Sequence, residues 1–244
     1  MKALPPLASA LLLALLSSLP LHAAASPEGG AALARQHLAA VGDAAPVQTR
    51  RVHLRAVGLA PFELPIVVEA RRPAQLRREV DIQGQRQITG FDGQRAWRID
   101  PFVPGGAAEL PAAELSSLRH EALFDGLLAQ ALQQGWPIED LGTRSEDGRP
   151  LRLLRTAMPG QAPVTLYLDA KSLLEHKRAQ QQDVHGQQLA VETFSTDYRR
   201  VGSLQIPHRI EVRVPGLPHP IIMAIERVEL NPVLDASRFR RGAP

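Results

Sequence analysis

The sequence has no cysteine, and only three lysines, two tyrosines and two tryptophans among 244 residues. Without cysteine there is no disulfide, thiol nucleophile, cysteine-ligated zinc or cysteine-linked lipid anchor. Beyond the N-terminus no apolar run approaches the roughly 20 residues that a membrane-crossing helix needs. A phosphate-cradling glycine loop, a nucleophile elbow and a helical two-histidine metal motif are all missing. The histidines stand at 22, 37, 53, 120, 176, 185, 208 and 219, and none forms a tight ligand pair. Serine and threonine are few and have no local base. The sequence therefore predicts no enzyme, no metal and no cofactor.

What is present is ordinary globular material: 44% hydrophobic and 22% charged residues, with 28 basic against 25 acidic. That is enough apolar content for a core. Lysine occurs only at 2, 171 and 177, so arginine supplies the other 25 basic residues. The arginines alternate along strand-like runs and sit beside acids, as in Arg77-Arg78-Glu79 and in Arg209, Glu211 and Arg213. A nucleic-acid surface needs a clustered basic face with interleaved aromatics. The pattern here is that of a solvated outer sheet face, and no nucleic acid is expected.

Lys2, the apolar residues 11–16, the break at Pro20 and the run Ala23-Ala24-Ala25 follow the order of a secretory signal peptide. Cleavage is expected between Ala25 and Ser26. The apolar core is too short, and too soon followed by small residues, for a membrane anchor. This predicts a signal peptide over 1–25 and one domain over 26–244, soluble in the periplasm and not lipid-anchored.

After an Ala-rich helix expected over 31–41, with Leu33, His37 and Leu38 on one face and Gly42 as its stop, the period changes to two. Val52, Leu54 and Ala56 face one way; Arg51, His53 and Arg55 face the other. Phe62, Leu64, Ile66, Val68 and Ala70 share a face, as do Leu76, Val80 and Ile82, with Arg78 as the exception. Such alternation means sheets with one buried side. Strands are expected over 51–57, 62–71, 75–82, 86–91, 94–99, 151–156, 164–169, 174–181, 188–195, 209–214 and 221–230. Turn pairs such as Gln83-Gly84, Asp92-Gly93, Asp147-Gly148, Pro159-Gly160 and His185-Gly186 punctuate them. Many strands at short spacing point to one large, curved antiparallel sheet or open barrel.

One stretch departs from that rhythm. Pro101 to Pro111 reads as a loose linker, and residues 111–135 turn helical. Leu115, Leu118 and Ala122 form one stripe; Phe124, Leu127, Leu128, Ala131 and Leu132 form a second. Asp125-Gly126 breaks or bends the segment between them. Two short amphipathic helices are thus expected between the fifth and sixth strands. Trp97 lies in a strand-like run and Trp136 follows the helices; for both, core packing and cavity lining remain open.

Three stretches also carry a resemblance. Arg72-Pro73 is followed by Leu76-Arg77. Gly90-Phe91-Asp92-Gly93 leads into Ala96-Trp97-Arg98-Ile99-Asp100-Pro101. The C-terminal half has Leu166-Tyr167-Leu168-Asp169, Asp197-Tyr198-Arg199, Val201-Gly202 with Pro207, and Asn231-Pro232 with Phe239. In these the chain resembles the outer-membrane lipoprotein-sorting family, the LolA-like proteins. The resemblance implies an α+β, mainly β fold: an incomplete antiparallel β-barrel, a helical lid over 112–134, and an apolar cavity that accepts acyl chains. It also implies a buried functional arginine, with Arg55 and Arg78 as candidates. The chain is longer than the simplest carriers, and the missing cysteine excludes the membrane-anchored receptor of the same fold.

On that basis Leu54, Ile66, Val68, Phe91 and Trp97 are expected to line the cavity. Leu115, Leu118, Phe124, Leu127 and Leu128 are expected to close it from the lid. The expected function is a monomeric periplasmic carrier or binder of lipids or lipoproteins, holding their acyl chains, in outer-membrane lipoprotein sorting. The alternative is an envelope sensor or interaction protein that uses the same fold to bind a protein partner, such as an envelope membrane protein.

Overall fold

The computed structural model describes residues 27–184 and 187–241. The expected signal peptide, its cleavage site and the His185-Gly186 turn lie outside the described residues.

The chain opens with helix α1 (Pro27–Val41), then runs through β1 (Thr49–Val57), β2 (Leu64–Arg71), β3 (Gln75–Ile82), β4 (Gln85–Phe91), β5 (Ala96–Ile99) and β6 (Ala107–Glu109). Helices α2 (Ala112–Glu121) and α3 (Leu127–Gln134) follow. The chain returns through β7 (Ile138–Glu146), β8 (Arg149–Thr156), β9 (Val164–Asp169), β10 (Glu175–Val184), β11 (Gln187–Val201), β12 (Leu204–Arg213) and β13 (Ile221–Leu230). A short 3-10 helix, Ala236–Phe239, ends the described chain.

The strands form one antiparallel sheet in the order β6-β5-β4-β3-β2-β1-β13-β12-β11-β10-β9-β8-β7. The first six strands build one wing and the last seven the other, joined where β13 pairs with β1. Edges β6 and β7 do not pair, so the barrel is incomplete. The connection from β6 to β7 must therefore pass from one edge to the other, and α2 and α3 make that passage across the concave face. The sheet curls strongly. Phe91 on β4 and Leu204 on β12 belong to one packed cluster, although five strand spacings separate them, roughly 24 Å in a flat sheet.

Two strands were not foreseen from alternation. The 101–111 linker carries β6, and β7 precedes the expected strand at 151. Both are edge strands, where little is buried: β6 is exposed throughout, and in β7 only Ile138 is buried. An alternating signature needs one covered face, and these lack it. The helices accordingly lie between the sixth and seventh strands rather than the fifth and sixth.

Helix α1 packs Leu33, Ala34 and His37 inward. His37 donates from Nδ1 to the Leu173 carbonyl oxygen at 2.7 Å. Its close seat on β7 depends on Gly30, where an added Cβ would stand 2.0 Å from the Ile138 carbonyl oxygen.

Candidate functional site: the concave face and its lid

Register decides which side chains face inward. Leu54 stands opposite Ile66, and Ile66 opposite Val80. Val68, Leu76 and Phe91 continue the same face. The apolar interior falls into three clusters. In the first, Leu127, Leu128 and Ala131 of α3 join Leu33 and Ala34 of α1 over Leu154, Leu166 and Leu168. In the second, Leu118 of α2, with Ala122 and Phe124 in the link after it, covers Leu76, Phe91 and Ala96, and Leu115 packs against them. The third is built from strands alone: Leu54, Ala56, Leu64, Ile66 and Ile225, with Val52, Val80 and Met223 around them. Among the described residues no helix residue belongs to it. Val52, Val80, Ile82, Ile210 and Met223 there stay half-buried. The concave face is thus covered by helices over two thirds of its clusters and left as an open apolar strip in the third.

Ion pairs fasten the lid. Arg78 on β3 holds Glu121 on α2, with Nη1 3.0 Å from each carboxylate oxygen. Arg98 on β5 holds Glu114 at the start of the same helix. Arg72, in the turn between β2 and β3, grips Asp125 in the link between α2 and α3 with both terminal nitrogens, Nη2 to Oδ1 at 2.7 Å. Its guanidinium also lies over the Phe124 ring, 4.5 Å from the centroid. All three arginines reach the lid from the wing that ends at β6. At the far side His120 of α2 is half-buried beside the Glu175–Arg178 pair. Burial first, then the Arg178 charge, push its imidazole below the usual histidine range, against a hydrogen bond that the imidazole donates to Gln161 and the charge of Glu175.

No protein-family model matches the chain, and no curated protein does. Solved structures do match. A LolA superfamily protein from Nitrosomonas europaea superposes with a TM-score of 0.60 at 14% identity, covering 85% of this chain and 97% of that one. A candidate outer membrane lipoprotein-sorting domain from Vibrio parahaemolyticus gives 0.63 at 10% identity, covering 88% of this chain and 98% of that one. The fold is LolA-like.

Within this LolA-like frame, nine of the ten expected lining residues lie on the concave side, shared among the three clusters. Leu54 and Ile66 are in the open strip, and Val68 joins it to the second cluster. Phe91, Leu115, Leu118 and Phe124 belong to the α2 cluster, and Leu127 and Leu128 to the α3 cluster. Trp97 is the correction. It stands opposite Gly90, one residue out of phase with the Phe91–Ala96 pair, so it points to the convex face. There its Nε1 donates to the Phe239 carbonyl oxygen at 3.0 Å, under the C-terminal 3-10 helix. Gly90 makes room for it, since an added Cβ would stand 2.3 Å from the indole. The 3-10 helix gives the convex face a small core of its own, which local alternation cannot reveal.

The arginine expectation is corrected as well. Arg55 is more than half exposed and paired with Glu63 and Glu226. Arg78 faces inward but lies at the lid surface, a third exposed. The buried arginine is Arg77, 1% exposed on the convex face, donating to Glu79 and to the Arg238 carbonyl oxygen. The same face holds a hollow of about 410 Å³ among Arg51, His53, Glu69, Glu79, Arg86 and Arg238. Its charges neutralise one another, with Arg51 and Arg238 both on Glu69. Among the described residues no group of histidines and carboxylates is arranged to hold a metal ion, and no helix is long and apolar enough to cross a membrane.

Proposed function

We propose that this chain is a non-enzymatic periplasmic carrier or binder of lipid or lipoprotein acyl chains, exported by a signal peptide over 1–25 and folded as one domain over 26–244. The open strip on the concave face carries the reading. Half-buried Val52, Val80, Ile82, Ile210 and Met223 form an apolar surface in whose cluster no helix residue takes part among the described residues. Soluble proteins rarely leave such a surface without a ligand for it. Each methylene of an acyl chain buried against it contributes roughly 0.8 kcal/mol, so a chain of about sixteen carbons gives roughly 12 kcal/mol gross, before ordering costs.

The lid supports release as well as capture. Helices α2 and α3 cover the adjoining apolar clusters through ion pairs that are a quarter or more exposed. Such pairs hold weakly and break without a large penalty. Cargo that extends from the strip into those clusters competes with the lid for the same surface, which makes the site reversible. Leu59 and Phe62, exposed in the loop at the Val57 end of β1, and Leu217 in the loop before β13 give that end an apolar rim.

Native mass spectrometry of the protein purified from its own envelope tests the reading. Co-purified lipid is the expected result. A clean apoprotein in a stoichiometric complex with another protein would replace the carrier by an interaction protein.

A further inference from the structure

Near the lid, one inward-facing arginine has no carboxylate partner among the described residues. Arg50 is the second residue of β1, in phase with Val52, Leu54 and Ala56, opposite Ala70 on β2 and Leu230 on β13. The other inward arginines near the lid have carboxylates: Arg78 has Glu121, Arg98 has Glu114 and Arg178 has Glu175. Among the described residues no carboxylate lies within 4.0 Å of Arg50, which sits instead over the Phe124 ring, 5.3 Å from its centroid. The acid whose charge acts on it is Asp125, already gripped on both oxygens by Arg72. A guanidinium stays charged at neutral pH even where its surroundings are apolar. Left without an anion in partly desolvated surroundings, it is a costly feature unless something else completes it.

We propose that the ligand is an anionic single-chain amphiphile, with its charged head on Arg50 and its acyl chain along the open strip of β1, β2, β3 and β13. This rests on the carrier reading and names the chemical class of its cargo. The geometry follows β1. Side chains at 50, 52, 54 and 56 share one face and span roughly 20 Å at about 3.3 Å per residue. The cation stands at the inner end of that line, beside the lid link. The exposed apolar loop at Leu59 and Phe62 stands at the other. A chain therefore enters tail-last, its head resting between Arg50 and Phe124. A carboxylate or a phosphodiester would each satisfy the guanidinium, which takes either in a two-pronged hydrogen bond.

The anion also bears on the lid. Arg50 and Arg72 flank the same phenylalanine and compete for one carboxylate. A head group on Arg50 neutralises the charge that repels Arg72, so it acts at the point where the two lid helices join.

The test uses three probes with one palmitoyl chain and different heads: palmitate, lysophosphatidylglycerol and uncharged monopalmitoylglycerol, each below its micelle concentration. Binding to the mature chain is measured by displacement of a fluorescent fatty acid. At least one anion is expected to bind about tenfold or more tightly than the neutral probe, and the tighter anion identifies the head as carboxylate or phosphodiester. In Arg50→Met that preference is expected to fall to near unity with neutral binding retained, and in Arg50→Lys most of it is expected to survive. Should the methionine variant fail to fold, the wild type decides by salt: the anion preference shrinks as ionic strength rises and neutral binding does not. Equal binding of all three probes, a preference that survives in Arg50→Met, or a salt-independent preference overturns the head-group assignment and leaves the carrier. Binding of none of the three overturns both.

Discussion

Arg72 and Asp125 are joined across the only link between the two lid helices, each terminal nitrogen of the guanidinium meeting one carboxylate oxygen. The same guanidinium donates from Nε to the Val47 carbonyl oxygen at 2.7 Å and from Nη2 to that of Ala44 at 2.8 Å. One side chain thus ties the segment before β1, the turn after β2 and the lid together. Gly126, at φ 82°, follows at once as the residue that lets the chain change direction.

Removing either partner should loosen the lid. In a double-mutant cycle of Arg72→Met and Asp125→Asn, a coupling of about 1 kcal/mol is expected, because both groups are a quarter to a third exposed. Amide exchange over 112–134 should rise in each single variant. Unchanged exchange there would show that Arg78 and Arg98 suffice to hold the helices.

Phe124→Ala should cost the apoprotein about 3 kcal/mol in thermal or denaturant unfolding, since the ring is 7% exposed and lies under Arg72. Uptake of a fluorescent fatty acid should become faster, because the closed lid is what the ring stabilises. Uptake that falls together with stability would mark Phe124 as fixed core.

Ile66→Glu places a carboxylate in the floor of the open strip. Stability should fall by several kcal/mol near neutral pH, and fatty-acid binding should be lost. A variant as stable and as competent as the wild type would refute the inward assignment of β2.

Trp97→Phe should lower stability by about 1 kcal/mol, from the lost hydrogen bond to the Phe239 carbonyl oxygen. It should leave ligand binding unchanged, because the indole stands on the convex face. Gly90→Ala should destabilise by about 1–3 kcal/mol, as the new methyl meets that indole. Impaired binding in Trp97→Phe at unchanged stability would contradict this placement.

His120 makes the lid sensitive to acid. Its folded-state pKa lies below the ordinary value of 6.5, so below that value the unfolded chain binds the proton more readily. Stability from this group is complete above about 6.5 and is lost as pH falls toward the folded-state pKa. His176, also lowered chiefly by burial, acts in the same direction from β10. Melting temperatures measured between neutral and mildly acidic pH should therefore drop less in His120→Gln than in the wild type. Parallel curves would remove His120 from the account.

The inner face was legible in the sequence wherever a strand had one covered side. The strands over 75–82, 164–169 and 221–230 were placed at their observed bounds, and Arg78 was marked as the one charged residue in an apolar row. It is the residue that reaches Glu121. Asp125-Gly126 was legible as the break between helices from its turn chemistry. Arg50 was missed by one residue, because its strand was begun at Arg51; carrying the alternation of Val52 and Leu54 one step back would have found it.

What the sequence determined by itself is local: periodicity set which residues form strands and helices, and alternation set which side of each strand is apolar. The tertiary structure alone decided the rest. Trp97 has inward-looking chemistry yet packs outward, and Arg77 is buried beside it, because Arg238 and Phe239, 161 and 142 residues later in the chain, return to meet them. Arg72 finds Asp125 across 53 residues of chain, and Arg50 meets no carboxylate among the described residues. Alternation carries no information about which distant segment will cover a face or neutralise a charge, because that is settled by how the sheet curls and where its ends return.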